Sequence, residues 1–124
     1  MKVIDAGVLV ELIASDLDPE VLGDEELAVP HLVDTEVLSA LRALVGRREL
    51  TTQQGSAAVD LYGQLELVRF PAENLRSRIW GLRHNLSAYD ATYVALAESL
   101  GSNLLTTDTR IAAAPGTSCV IEVV

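Results

Sequence analysis

Four acidic residues are the part of this chain best suited to chemistry, because each one lies at or near the end of a predicted strand or helix. Asp5 closes the apolar run KVID, and Asp108 follows the apolar run LLTT. Asp90 opens a predicted helix in SAYDATYVALA, and Glu36 lies early in another, in DTEVLSAL. Carboxylates gathered in one cleft raise each other's pKa unless a cation compensates them, and oxygen-only ligands suit Mg²⁺ or Mn²⁺. The pattern predicts a metal site for phosphate chemistry.

The elements that must position these acids are short strands that alternate with helices. Five apolar runs are predicted as strands: KVID, ELAV, LVRF, NLLTT and CVIEVV. Helices are predicted after Asp5, from His31 to about Val45 with Pro30 at the first helical position, over TTQQGSAAVDLYGQLEL, over residues 73–84, and from Ser87 to Gly101. This alternation indicates an α/β fold with a parallel sheet. Since the carboxyl ends of parallel strands share one edge of the sheet, Asp5 and Asp108 are expected to meet there.

Length and composition limit the classes of function. The 124 residues indicate one domain, and the hydrophobic fraction of 49% indicates a compact core. No apolar run approaches the roughly 20 residues of a membrane span, so a cytoplasmic protein without a membrane partner is expected. One cysteine and two histidines make neither a disulfide nor a zinc site, and no GxxxxGK[ST] or GxGxxG nucleotide motif is present.

The charge of the chain limits its electrostatic binding of nucleic acid. A formal net charge of −9 argues against broad binding of phosphates, although not against an enzyme that cuts a nucleic acid. Six arginines fall into two groups, Arg42, Arg47 and Arg48, and then Arg76, Arg78 and Arg83. Solvated helix faces explain most of them. The second group supplies the candidates for substrate binding, on the hypothesis that one or two of its members flank the acidic cleft and hold a phosphate backbone.

Taken singly, each acid also has a structural explanation. Asp5 and Asp108 are suited to cap the helices that follow them, and Ser87 with Asp90 matches a capping box. Glu36 has no cap to make, so its structural alternative is an exposed position, as predicted for Asp34. The joint placement of the four acids favours a site, because helix starts that follow parallel strands lie along one crevice.

Four segments carry a resemblance to a known family: DAGVLVEL, PHLVDTEVLSALR, LRHNLSAYDATYVALAESLG and LLTTDTRIA. Together they resemble the PIN-domain ribonucleases and, among these, the VapC-type toxins of bacterial toxin–antitoxin pairs. The resemblance runs in order from Lys2 to Val124 and describes residues 1–124 as a single PIN domain. It implies a PIN-like three-layer α/β/α sandwich with a five-stranded parallel sheet.

The same resemblance implies an activity and a set of site residues. Asp5, Glu36, Asp90 and Asp108 would be both the Mg²⁺ ligands and the catalytic residues, with Mn²⁺ as a possible substitute, and Thr106 would be a supporting polar residue. The implied activity is a Mg²⁺-dependent endoribonuclease that acts as the toxin of a type II toxin–antitoxin system, with metal-activated water as the attacking group. Gly7 departs from the family pattern, in which many members have serine or threonine at that position.

The resemblance also implies binding partners for the protein, and one alternative function remains. The implied partners are an RNA substrate, a VapB-type antitoxin and a second copy of the chain in a homodimer. Candidate dimer contacts are Leu61, Tyr62 and Leu65, although core packing is the simpler explanation for each. The alternative is a catalytically inactive PIN-like binding module whose acidic pocket serves an antitoxin or another protein partner. The presence of all four acids favours the enzyme, and metal-dependent cleavage of RNA would separate the two.

Overall fold

The sheet of this protein has five parallel strands. The computed structural model describes residues 1–124 and orders the strands β3-β2-β1-β4-β5. Their bounds are β1 Lys2–Ile4, β2 Leu27–Pro30, β3 Leu67–Phe70, β4 Leu104–Thr106 and β5 Ile121–Val123. Every neighbouring pair is parallel. The predicted α/β fold with a five-stranded parallel sheet is confirmed.

Six helices accompany the sheet. Their bounds are α1 Ala6–Ala14, α2 Val33–Gly46, α3 Thr52–Gly63, α4 Arg76–Gly81, α5 Ala88–Leu100 and α6 Thr109–Ala113, with two short 3₁₀ turns at Pro19–Leu22 and Glu73–Leu75. Helices α1, α2 and α3 pack against one another, and α4 packs against α5, so the larger helices form two groups around the sheet. None of the six combines the length and apolar character that crossing a membrane requires.

Helix α5 occupies the most enclosed position in the fold. It packs against β1, β2 and β4, and all seven residues from Ala91 to Ala97 are buried. A helix that is buried on every side belongs to the interior of a domain, and the small alanine side chains let it approach the sheet closely. Gly101 ends the helix as predicted, at a φ of 61° that favours glycine. This packing fixes the first turn of α5, which carries Asp90.

The predicted start of α2 is wrong by a few residues. Pro30 was expected to open the helix, but it is the last residue of β2, and the helix begins at Val33. The bond to β3 beyond this proline is made by the next residue, His31, whose N–H donates to the carbonyl of Phe70. The two intervening residues place Glu36 in the first turn of α2.

The segment 73–84 and helix α3 also differ from the predictions. Residues 73–84 form a 3₁₀ turn followed by a helix that ends at Gly81, so His84 lies beyond the helix. No side chain caps this short helix. Helix α3 begins with a capping box of Thr51 and Gln54 and ends at Gly63. Within it, Gly55 is buried, and a Cβ there would lie 2.7 Å from a methyl of Val45, so this glycine permits close packing of α3 on α2.

Asp34 was predicted to lie on the exposed face of its helix, and its side chain is 41% exposed, but it also bonds to two other elements of the fold. Its carboxylate accepts a 2.7 Å hydrogen bond from the Tyr62 hydroxyl and two bonds, of 2.9 and 2.7 Å, from the Arg69 guanidinium. The Arg69 guanidinium is the main reason why the pKa of Asp34 is lowered. These bonds connect α2 to α3 and β3. Sequence periodicity missed them because the partners lie 28 and 35 residues away.

We expect Asp34→Asn to destabilise the fold by about 1 kcal/mol, since the amide replaces one acceptor oxygen and removes the charge. Because the pKa of Asp34 is lowered in the fold, its stabilisation is present above the ordinary value of 3.8 and is lost as the pH falls through the folded value. Urea unfolding at neutral and acidic pH measures the effect. Asp60→Asn on the exposed face of α3 is the control, and equal losses in both variants would contradict the structural role of Asp34.

Candidate active site

The centre of the site is built where β1 and β4 end side by side. Their pairing sets Ile4 against Leu105, so Asp5 and Thr106 emerge next to each other at the carboxyl edge of the sheet. The Thr106 hydroxyl donates to Oδ2 of Asp5 and accepts a 3.0 Å hydrogen bond from the N–H of Asp108. Asp5 is only 7% exposed and Thr106 is fully buried. One threonine therefore holds together the two acids that follow neighbouring strands.

Asp5 and Asp108 also cap helices, as their structural explanation predicted. Oδ1 of Asp5 accepts a 3.0 Å bond from the N–H of Val8, and Oδ1 of Asp108 accepts a 2.8 Å bond from the N–H of Arg110. Capping and membership of the cluster are compatible, because each cap leaves other carboxylate lone pairs free. The caps also fix the orientation of both side chains.

Asp90 differs from the predicted capping box. The Ser87 hydroxyl accepts a 3.1 Å hydrogen bond from the N–H of Asp90, but the Asp90 carboxylate returns no bond to the N–H of Ser87. In α3, by contrast, the reciprocal bond from the N–H of Thr51 to Gln54 is present. The half-buried Asp90 carboxylate is thus left without a capping role.

Glu36 is held by a residue that the sequence analysis did not single out. The hydroxyl of Tyr93 donates a 2.6 Å hydrogen bond to Oε1 of Glu36, which connects α5 to α2. Tyr93 is buried, and a buried phenol almost always requires a polar partner. A tyrosine inside the apolar run ATYVALA was therefore a usable signal. Glu36 does not lie on an open helix face.

Burial and mutual repulsion couple the acids electrostatically. Burial raises the pKa of Asp5, and the charges of Asp90 and Asp108 raise it further. The pKa of Glu36 is raised by burial and by Asp90 and Asp5, and that of Asp90 by burial and by Asp108. Asp108 is the exception, because hydrogen bonds from Arg110 lower its pKa. The four carboxylates therefore act on one another.

The donor chemistry of this cluster suits a hard divalent cation, but the present spacing of its carboxylates does not. Four carboxylates supply only oxygen ligands, and a divalent cation would relieve the repulsion that raises the pKa of three of them. No group of three His, Cys, Asp or Glu side chains lies close enough to coordinate one ion, however. Hydrogen bonds to Thr106, Tyr93 and Arg110 hold three of the carboxylates. Coordination of one ion by three of these carboxylates would require the side chains to move.

The three arginines predicted as substrate-binding candidates all have structural contacts. Arg78 donates to both carboxylate oxygens of Glu98, at 2.6 and 3.0 Å, and to the carbonyl of Gly116. Arg76 donates to the carbonyl of Glu73. Arg83 lies 4.6 Å from the ring centre of Trp80 and donates to its carbonyl. The guanidinium that does pair with a site acid belongs to Arg110, which the sequence analysis did not name.

Comparison with known proteins identifies the family. The family model described as PIN domain matches residues 2–116. The chain belongs to the PIN-domain family. The VapC ribonuclease Mb0985 of Mycobacterium bovis is 42% identical over 125 residues, an alignment that covers all of this chain and 98% of that protein. The predicted membership of the VapC-type PIN proteins is confirmed.

Solved structures agree with the PIN-domain fold. The crystal structure of PAE2754 from Pyrobaculum aerophilum has a TM-score of 0.73 at 25% identity and covers 98% of this chain and 83% of that one. A chain of a toxin–antitoxin complex from Klebsiella pneumoniae has a TM-score of 0.66 at 16% identity, with 91% of each chain covered. At that identity the second comparison supports the fold alone.

Gly7 of this PIN domain lies against the hydroxyl of Thr107. A Cβ built on Gly7 would lie 2.7 Å from Oγ1 of Thr107 and 3.5 Å from Oδ1 of Asp5. The Thr107 hydroxyl thus occupies the space into which a side chain at position 7 would project. The glycine makes room for it beside Asp5.

We expect Tyr93→Phe to raise the pKa of Glu36, because the lost hydrogen bond stabilises the charged form of the carboxylate. Titration of the Glu36 carboxyl carbon by NMR measures the change. Tyr89→Phe is the matched control on the same helix, since Tyr89 is 64% exposed. The same Glu36 titration in both variants would contradict a functional link between Tyr93 and Glu36.

We expect Asp90→Asn to leave the metal-free protein as stable as the wild type, or more stable, at neutral pH. The folded pKa of Asp90 is raised, so the stability gained by its protonation is present below 3.8 and is lost as the pH rises through the folded pKa. Asparagine resembles the protonated form, so the difference should vanish in acid. Melting temperatures from about pH 3 to about pH 8 in EDTA measure it, with exposed Asp16→Asn as control. A variant that melts lower at neutral pH would show that the Asp90 charge is structural.

Proposed function

We propose that this protein is a Mg²⁺-dependent endoribonuclease and the toxin of a type II toxin–antitoxin system. The observation that carries the proposal is the cluster at the ends of β1 and β4, where Asp5 and Asp108 share the Thr106 hydroxyl. Asp90 and Glu36 come from two further elements, and the charges of neighbouring acids of the cluster raise the pKa of each. The full-length relative from Mycobacterium bovis is named a ribonuclease, which supports the same activity here.

The chain's own residues divide the work at the site. Mg²⁺, with Mn²⁺ as a substitute, would activate a water molecule and stabilise the charge on the phosphate. Asp5 and Asp90 are the proposed direct ligands, and Asp108 and Glu36 would hold the ion directly or through water. The Thr106 hydroxyl orients Asp5, and the Tyr93 hydroxyl orients Glu36. Carboxylates fixed in this way offer a ligand set of defined geometry.

Glu36 has a second proposed role as the residue that positions the attacking water and takes its proton. Burial raises its pKa towards the range in which a carboxylate is a more effective base. Its second oxygen, Oε2, is not engaged by Tyr93 and remains able to accept a proton. The raised pKa and the free oxygen together suit this role better than a fully solvated glutamate would.

An antitoxin and a second copy of the chain are the proposed protein partners. The net charge of −9 favours a basic antitoxin segment of the VapB type. The structural neighbour from Klebsiella pneumoniae is described as part of a toxin–antitoxin complex. Of the predicted dimer contacts, Leu61 is exposed and Leu65 is partly buried, whereas Tyr62 is buried and bonded to Asp34, so core packing is the correct explanation for Tyr62.

The alternative, an inactive module that binds an arginine of a protein partner, has one observation in its favour. Arg110 already places a guanidinium on Asp108, with bonds of 3.2 and 2.9 Å to its two oxygens. The acidic site is therefore chemically able to receive an arginine. A binding module of this kind would show no metal-dependent cleavage.

We expect the purified protein to cut RNA in Mg²⁺ or Mn²⁺ and to lose that activity in EDTA. Glu36→Gln should lower the cleavage rate by roughly 100-fold or more and raise the Mg²⁺ concentration for half-maximal rate, because the amide neither takes a proton nor neutralises a cation. End-mapping of cellular RNA after brief expression identifies the substrate on which these rates are measured.

The matched control is Glu11→Gln, the same substitution on the exposed face of α1. It should cleave at the wild-type rate. Full cleavage in excess EDTA would refute the metal mechanism, and equal rates in the two glutamine variants would remove Glu36 from the site.

A further inference from the structure

Arg110 is the one basic residue whose charged group pairs with an acid of the site. The other side-chain ion pairs join Lys2 to Glu25, Arg47 to Glu49, Arg69 to Asp34 and Arg78 to Glu98, all outside the cluster. Nε and Nη2 of Arg110 contact the two oxygens of Asp108 at 3.2 and 2.9 Å. The charge of Arg110 also reaches Asp90, whose pKa it lowers in opposition to the neighbouring acids. Arg110 is thus the local counter-charge of the cluster.

The ion pair of Arg110 and Asp108 is easily broken, because the Arg110 side chain lies almost entirely in solvent. The Arg110 side chain is 89% exposed, whereas that of Asp108 is 27% exposed. An exposed ion pair contributes little net stability, since solvent screens it and holding the long side chain costs entropy. Arg110 makes no other side-chain bond, so another anion could draw its guanidinium away from Asp108.

A phosphodiester is such an anion, and a cluster of carboxylates needs a cation to accept one. Four acids in a chain of net charge −9 repel a nucleic-acid backbone. Guanidinium forms bidentate, charge-assisted hydrogen bonds with phosphate oxygens as readily as with carboxylates. Arg78 is a poorer choice, because it would have to leave three bonds that tie α4 to Glu98 and Gly116.

We propose that Arg110 is the substrate-binding residue of the site, and that its guanidinium leaves Asp108 to hold a backbone phosphate of the RNA beside the four acids. This inference rests on the proposed ribonuclease function. It assigns phosphate binding to Arg110 rather than to Arg76, Arg78 or Arg83. Arg110 binds through charge and shape and carries no preference for a base.

Binding can be tested separately from cleavage. An Asp90→Asn background removes a proposed metal ligand and is expected to prevent turnover. In this background, fluorescence anisotropy with a labelled single-stranded RNA of mixed sequence gives the affinity over a range of salt concentrations. Arg110→Ala should weaken binding about tenfold and lower the slope of log K against log salt by about 0.7, the value for one lost contact on single-stranded nucleic acid. Arg110→Lys, which keeps the charge but not the bidentate fork, should recover part of the affinity.

The control is Arg47→Ala. Arg47 forms an exposed ion pair with the carboxylate two residues away, as Arg110 does, and it lies roughly 16 Å along α2 from Glu36 at about 1.5 Å per residue. Equal affinity and equal salt slope for the Arg110 and Arg47 variants would overturn the proposal. So would an absence of RNA binding by the parent protein.

Kinetics of the cleaving protein give a second readout. Arg110→Ala should raise KM for the mapped RNA about tenfold with a smaller change in kcat, and Arg47→Ala should change neither. If the wild-type chain binds RNA through Arg110 but cuts none in Mg²⁺, the ribonuclease proposal fails while the assignment of Arg110 stands. If the chain cuts RNA and Arg110→Ala is unchanged in KM and affinity, only the assignment fails.

Discussion

The pairing of β1 with β4 at the centre of the sheet is the constraint on which the site depends. It brings together residues about 100 positions apart, so that Asp5 and Thr106 leave the sheet side by side and share a buried hydrogen bond. Asp108 is added through its N–H to the same threonine oxygen. A register shift of one residue would turn Thr106 to the opposite face of the sheet and break its hydrogen bond to Asp5. The arrangement of the site thus follows directly from the register of two short strands.

The four acids of the cluster repel one another inside a small domain, and the hydrogen bonds and charges around them reduce this repulsion. Thr106 and Tyr93 each donate a hydrogen bond to one acid, and the backbone N–H groups of Val8 and Arg110 donate to the two acids that cap helices. The Arg110 guanidinium balances one charge. The acids nevertheless have raised pKa values, except for Asp108. The protein therefore retains unfavourable charge at this cluster, which is typical of functional sites rather than of simple helix caps.

The arginines of the chain show how similar side chains take different roles. Arg69 and Arg78 form ion pairs that connect elements distant in sequence. The carboxylate bound by Arg69 also accepts a bond from Tyr62, and Arg78 also donates to the carbonyl of Gly116. Arg110 instead pairs within its own turn and extends into solvent. A long-range pair stabilises the arrangement of elements, whereas a local, exposed pair leaves its guanidinium available to a ligand. The difference lies in the contacts and is invisible in the composition.

The sequence by itself determined the alternation of strands and helices, the parallel sheet, the helix from Ser87 to Gly101 and the positions of the four acids at strand ends and helix starts, because periodicity and capping are local properties. Only the tertiary structure decided that Pro30 ends a strand, that Asp34 links three elements, and that Tyr93 holds Glu36. It also decided that Arg110, rather than Arg78, faces the acids. Each of these outcomes depends on a contact with a residue of another element, or on which of several available contacts a side chain makes. Such relations arise only when the packed strands and helices bring distant residues within hydrogen-bonding distance.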